Sequence, residues 1–368
     1  MRVRIACDII LKLEGSIRPA AYLAEELIKR GYTVTITSPF IAEEAKRKLN
    51  EAGIIAQSLN DRFAKENSNY PFLWLKAWAY EAFFRMNSRK LREQMFTINF
   101  SQMLCIPSVA WYLQGTPTAA LNDICREMPL NLKLAYKILG PIMFQADKSM
   151  INHITRMSKV VVANSKFCAS MYLDYGVKAD CVIYPPIDCG IFRPSTSKPS
   201  SDYVLTYFGK ETEFSITKMI ANKGVKIKAF GSKAPFIPKS LLKNPNVEFL
   251  GRVSTSELVE LYSNSLYTLF PFTHEPFGYI PLESMACGTP VLTYGMQGPS
   301  EYVIDGETGW LVKDGEQLIR KAVEIWEKGY SSKMRNTCVE EAMKFDKKVY
   351  SEKWFKLLNS IEEDFNWI

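Results

Sequence analysis

Histidine is scarce in this sequence, with only His153 and His274 among 368 residues. That scarcity argues against a metal centre built on imidazole ligands. No D-x-D string is present either, so nothing in the chain implies a divalent ion. The eight cysteines are scattered and none forms a C-x-x-C pair. Such usage excludes a small disulfide scaffold and reads as reduced thiols in a cytosolic protein. Zinc-finger spacing, an RNP-type string and a Lys/Arg-rich stripe are all missing, which removes the case for nucleic acid. No uninterrupted apolar run reaches the ~20 residues a bilayer-spanning helix needs, so a soluble or peripheral protein is expected. The opening MRVRIACDIILKLEG breaks at Lys12 and Glu14, and it reads as a first β-strand rather than a secretory leader.

What is present suits two domains of ordinary size: 368 residues, 47% hydrophobic, with a net charge of +7 spread without a polybasic block. A mild positive balance favours acidic partners such as nucleotide phosphates or anionic lipid. The most informative stretch is Phe272–Tyr294, FTHEPFGYIPLESMACGTPVLTY. Leu266–Phe270 before it has the apolar, aromatic character of a buried strand. Phe277–Tyr279 turns the corner, and Pro281 sits where a first helical turn tolerates a missing N–H. Gly288 suits the left-handed stop, and Pro290–Tyr294 is the next strand. A strand feeding a Gly-containing turn and a helix N-terminus leaves N–H groups and a positive dipole end for an anion, most naturally a phosphate. Two carboxylates, Glu275 and Glu283, bracket this turn. Glu283 is expected in the first helical turn, where dipole complementation alone would explain it.

The remaining chain alternates strands and helices. Val3–Ile10, a helix over Pro19–Lys29 and Thr33–Thr37 form a βαβ unit, with Gly15 in the first loop. Glu43–Glu51 is a charged helix. Tyr70–Met86 is an aromatic-rich helix, apolar nearly all round. It reads as buried under the first sheet, or as an interfacial helix with Trp74 and Trp78 at headgroup level and Arg89, Lys90 and Arg92 on anionic lipid. Val109–Leu113 is a strand leading to Gln114, and Asp147–Arg156 is a helix leading to strand Val160–Ala163. Pro185-Pro186 breaks regular structure, and the polar, Pro/Ser-rich stretch after Phe192 reads as a linker. Tyr203–Phe208, Val225–Phe230 and Val247–Leu250 are strands of a second domain. Ser254 and Glu257 are a capping pair, Gln317–Trp326 is a helix, and the tail over Phe345–Trp367 is helical and aromatic.

Several motifs together resemble the retaining GT-B glycosyltransferases of family 4, whose mark is the E-x7-E pattern. They are Glu275-Pro276-Phe277-Gly278-Tyr279 with Glu283, Ala163-Asn164-Ser165, Tyr184–Asp188 with Phe192 and Pro194, Gly251-Arg252-Val253, Gly298–Glu301 and Gly306–Val312. The resemblance spans nearly the whole chain and is looser over 40–145. It implies an α/β fold of two doubly wound Rossmann-like domains facing a central cleft. The expected bounds are 1–190 for the acceptor side, 191–202 for a linker, 203–345 for the nucleotide-sugar domain, and 346–368 for a helix crossing back. It implies transfer of a hexose from a nucleotide-sugar such as UDP- or GDP-hexose to a glycan or lipid-linked acceptor, with retention. No cofactor and no metal are implied, and the expected setting is cytoplasmic or peripheral on the membrane. Carried over residue by residue, Glu275 holds the sugar and Glu283 the ribose, with Val253 in the base-binding turn. Gly15, Lys210, Lys218 and the N–H groups of Phe277, Gly278 and Tyr279 take the diphosphate. Gln114 stands where many members carry a histidine near the acceptor, and Gln cannot act as a base. Lys210 replaces an arginine and Ser215 a lysine, so the bidentate cation pair is weakened. A non-catalytic sugar-nucleotide or glycan-binding partner and a GT-B epimerase are the alternatives.

Overall fold

The computed structural model describes residues 1–60, 70–91, 95–118, 121, 130–195, 198–209, 211–231 and 237–363. The chain forms two compact units, one of Met1–Ala119, Asn131–Pro186 and Lys348–Ile368, the other of Ala120–Leu130 and Ile187–Lys347.

The first unit is a parallel sheet in the order β3-β2-β1-β4-β5-β6-β7. Its strands are β1 (Arg2–Ala6), β2 (Thr33–Ser38), β3 (Ile55–Ser58), β4 (Phe96–Asn99), β5 (Ser108–Leu113), β6 (Ser158–Ala163) and β7 (Cys181–Val182). Strands covered on both faces read as continuous apolar runs, and all six residues of β5 are buried. Alternation then sends Tyr112 to one core, with Val3, Ile5 and Val34, and Trp111 to the other, with Leu113, Met150 and Tyr172. The helix Lys347–Glu363 contributes Tyr350, Trp354, Phe355 and Leu358 to the Tyr112 side. The Trp354 ring lies 5.6 Å from both Phe100 and Tyr112.

β1 ends at Ala6, four residues before the stop expected from the sequence. Asp8 explains the early stop. Its carboxylate accepts from the Ser101 hydroxyl and, at 3.1 Å, from the Gln102 N–H, tying the end of β1 to the end of β4. Burial pushes the Asp8 carboxyl up to about 6, against the opposing pull of these donors. A raised carboxyl pKa means the folded state holds its proton more tightly than the unfolded chain. Asp8 therefore costs nothing below pH ~4, and its cost grows as pH rises towards ~6, to at most about 3 kcal/mol. Chemical denaturation of wild type and Asp8→Asn across this window is expected to show wild type losing ground to the variant as pH rises.

Tyr70–Ala79 is α-helical, and a π turn over Tyr80–Phe84 follows, closed by Arg85 at φ 50°. Leu73, Ala77 and Trp78 are buried, whereas Leu75, Phe83 and Phe84 are exposed. The interfacial role expected for Trp78 is therefore corrected. Its ring sits in the core, and its Nε1–H donates to the buried Asp147 at 2.7 Å. Arg92 lies outside the described residues. The helix expected over Asp147–Arg156 is the end of a much longer one, Leu130–Met157, with Pro141 inside it. Gly140-Pro141 reads locally as a break, but a proline removes one N–H without ending a helix whose far half is packed.

The second unit is a parallel sheet in the order β10-β9-β8-β11-β12-β13. It consists of β8 (Val204–Phe208), β9 (Ile227–Gly231), β10 (Val247–Gly251), β11 (Thr268–Phe270), β12 (Val291–Tyr294) and β13 (Gly309–Val312). Successive strands run outward from β8 in one direction and from β11 in the other. The boundary between these two adjacent strands is the topological switch point, where open α/β sheets bind ligands beyond the carboxyl ends.

Candidate functional site

The Glu275–Glu283 segment leaves the carboxyl end of β11, at that switch point. Phe270 and Phe272 stack face to face with centroids 4.2 Å apart, which fixes the exit of the chain. His274 then adopts φ 62°, a left-handed conformation unusual for a residue with a side chain. The loop is held at both of its polar ends. The Glu275 N–H donates to Gln297 Oε1 at 3.2 Å, and the Glu275 carbonyl accepts from the Gly298 N–H at 2.9 Å. Gln297 is buried, and its amide donates to Thr293 Oγ1 at 2.9 Å, anchoring the loop to β12. Gly298 is required by contact rather than by torsion, since an added Cβ would lie 2.3 Å from the Pro276 carbonyl oxygen. The Tyr302 hydroxyl lies 3.0 and 2.5 Å from the Phe277 and Gly278 carbonyls. Those contacts turn the two carbonyls inward.

Gly278 at φ 87° precedes the helix Tyr279–Ala286, whose N-terminus has no side-chain cap. The helix starts at Tyr279, so Glu283 lies in its second turn, not the first. It is 2% exposed and accepts from the Tyr262 hydroxyl at 3.2 Å. Simple dipole complementation at a solvated first turn therefore does not explain it. Gly288 closes the segment at φ 78°, as its position in the sequence suggested.

The other sequence-derived candidates are dispersed. Lys210 lies outside the described residues. Before it, the Gly209 N–H donates to Thr212 Oγ1 at 2.9 Å at the end of β8, the second strand of the switch point. Lys218 is on the helix Phe214–Asn222, and its Nζ donates to Ser240 Oγ at 3.1 Å. Val253 is half-buried in the loop after β10, just before Ser254. Ser254 and Glu257 form the expected capping box on the helix Thr255–Asn264. Gly15 and Gln114 belong to the first unit. Gly15 opens a short 3-10 turn at φ 64°, and the Gln114 amide, just past β5, donates to the Phe100 carbonyl at 3.0 Å. Among the described residues no group of three or more His, Cys, Asp or Glu could hold a metal ion. Gln297, Tyr302 and Tyr262 escaped sequence reasoning, because no periodicity or spacing marks a side chain whose task is to tie one loop to another strand.

A family profile described as Glycosyl transferases group 1 matches residues 237–345, which contain the Glu275–Glu283 segment. A capsular polysaccharide biosynthesis glycosyltransferase of Staphylococcus aureus is 36% identical over 76 residues, 21% of this chain and 20% of that protein. An alpha-1,3/1,6-mannosyltransferase of Neurospora crassa is 41% identical over 81 residues, 21% of this chain and 17% of that protein. The chain thus matches only about a fifth of the length of either relative. Over its whole length it shares the fold of Anabaena Alr3699/HepE, solved in complex with UDP. The TM-score is 0.72 at 16% identity, over 98% of this chain and 100% of that one. Two Rossmann-like parallel-sheet domains with flanking helices match GT-B glycosyltransferase structures.

Proposed function

We propose that the chain is a retaining glycosyltransferase of the family 4 type. In this reading it moves a hexose from a nucleotide-sugar donor to a glycan or lipid-linked acceptor on the cytoplasmic side. One observation carries the proposal. A carboxylate on a doubly anchored, backbone-strained loop, Glu275, and a buried carboxylate, Glu283, flank an uncapped helix N-terminus at the switch point of the second sheet.

The reaction needs the departing diphosphate stabilised, the sugar held and the nucleoside anchored. N–H groups at Tyr279 and beyond point along the helix axis towards developing negative charge, with no reorganisation at the moment of bond breaking. Lys210 and Lys218 are assigned the countercharge. Glu275 is assigned the sugar hydroxyls and Glu283 the ribose, where a charged acceptor makes the stronger kind of hydrogen bond. Gly15 keeps its assignment to the donor phosphate and Gln114 to the acceptor. Because Gln114 cannot take a proton, the reading has the leaving phosphate oxygen receive the acceptor proton. The UDP bound by the Anabaena protein of like fold supports a nucleotide-sugar donor.

Donor consumption, measured against UDP-, GDP-, ADP- and dTDP-hexoses with and without candidate acceptors, tests the reading. Turnover of one donor, accelerated by an acceptor, supports it. Interconversion of the donor sugar without acceptor would favour an epimerase. Binding without turnover would favour a non-catalytic partner, the reading to which the uncharged, exposed Ser215 points.

A further inference from the structure

We propose that the first unit carries a docking face for an anionic lipid surface, formed by the first half of the helix Leu130–Met157 and the π turn Tyr80–Phe84. The proposal rests on this surface alone and not on the transferase reading. Along the long helix, Leu134, Ile138 and Ile142 recur every four residues, 54%, 73% and 57% exposed. Residues spaced in this way line one side of a helix. Leu139 widens the apolar side, and Phe83 and Phe84 expose more than half their surface. Phe83 and Ala82 share a shallow groove with Pro141, Ile142 and Gln145, so the two elements form one continuous face. Beyond Pro141 the same helix turns inward, with Met150, Ile151 and Ile154 in the core. The apolar stripe is thus confined to the half that stands away from the core.

Charge identifies the occupant. The exposed charges of the two elements are of one sign: Lys133, Lys137, Lys148 and Arg156 on the helix, with Lys76, Arg89 and Lys90 beside the π turn. The acids in these segments are Glu81 and Asp147, and both are 0% exposed. Glu81 accepts from the Asn87 N–H at 2.5 Å, and Asp147 accepts from Trp78 at 2.7 Å. The acids are turned inward and the lysines outward. Exposed Leu, Ile and Phe bordered by cations is the pattern of a helix lying in the headgroup region of an anionic membrane. No helix among the described residues is long and apolar enough to cross one.

Vesicle co-sedimentation tests the proposal, with phosphatidylcholine alone against phosphatidylcholine mixed with phosphatidylglycerol. Wild type is expected to bind the mixed vesicles and to release as salt rises. The exposed-site variant Leu134→Ser, Ile138→Ser, Ile142→Ser is expected to keep its melting temperature and bind at least about 100-fold more weakly. A Lys133→Ser, Lys137→Ser variant is expected to lose about 30-fold on mixed vesicles. Absence of wild-type binding, or equal binding by the triple variant, would overturn the proposal. So would a concentration-dependent dimer, abolished by the same three substitutions in a protein that ignores vesicles. That result would assign the face to a second copy of the chain.

Discussion

Replacing Glu275 with Gln is expected to slow sugar transfer by about 100- to 1,000-fold and to leave donor affinity within about threefold. The substitution keeps the side-chain volume, and the backbone anchors do not depend on it. The Glu275 N–H still donates to Gln297, and its carbonyl still accepts from Gly298. The charge is lost, and one acceptor oxygen becomes an NH2 donor. The backbone that carries the carboxylate is fixed, with His274 at φ 62° and both polar backbone groups of Glu275 engaged. In the proposed reading such rigidity raises rate rather than affinity, because Glu275 then holds the sugar hydroxyls in the geometry that bond breaking needs. Steady-state kinetics with donor hydrolysis as the readout separates the two. A rise in KM with unchanged kcat would show instead that Glu275 only binds the ground state.

Trp354→Ala is expected to destabilise the first unit by about 3–5 kcal/mol. The ring is fully buried and touches the Phe100, Tyr112 and Tyr350 rings. Its removal would empty the place where the last helix closes over the sheet. Part of the wild-type contribution is already offset, because the Trp354 Nε1 is buried with no hydrogen-bond partner among the described residues. Trp354→Phe removes that orphan donor along with part of the ring, so it is expected to cost less than half as much as Ala. Thermal melts of the two variants check the ordering. Equal losses would contradict the packing account, because a phenyl ring would then recover none of the buried contact.

The parts of the fold legible in the sequence are those where local pattern and tertiary demand agree. Apolar β12 and the Gly288 stop followed from residue chemistry. So did the capping box at Ser254. The edge strand β3 did not. β3 has exposed Ile55 and Gln57, and little apolar alternation marks it. The extent of Leu130–Met157 was hidden because Gly140-Pro141 punctuates it and because its exposed apolar half belongs to no core. At the site, both carboxylates were singled out by the resemblance to the E-x7-E pattern. That Glu283 is buried in a second helical turn, and that Gln297 locks the loop, depend on contacts between residues distant in the chain.

The central claim is that a nucleotide-sugar binds the second unit at its switch point, with Glu283 on the nucleoside. Calorimetric titration of wild type and Glu283→Gln with UDP- and GDP-hexoses tests it most directly. The expected result is saturable binding of one donor by wild type, weakened about 10- to 100-fold in the variant, as loss of a charge-assisted hydrogen bond requires. Equal affinity in both proteins, or no binding of any donor by wild type, would contradict it.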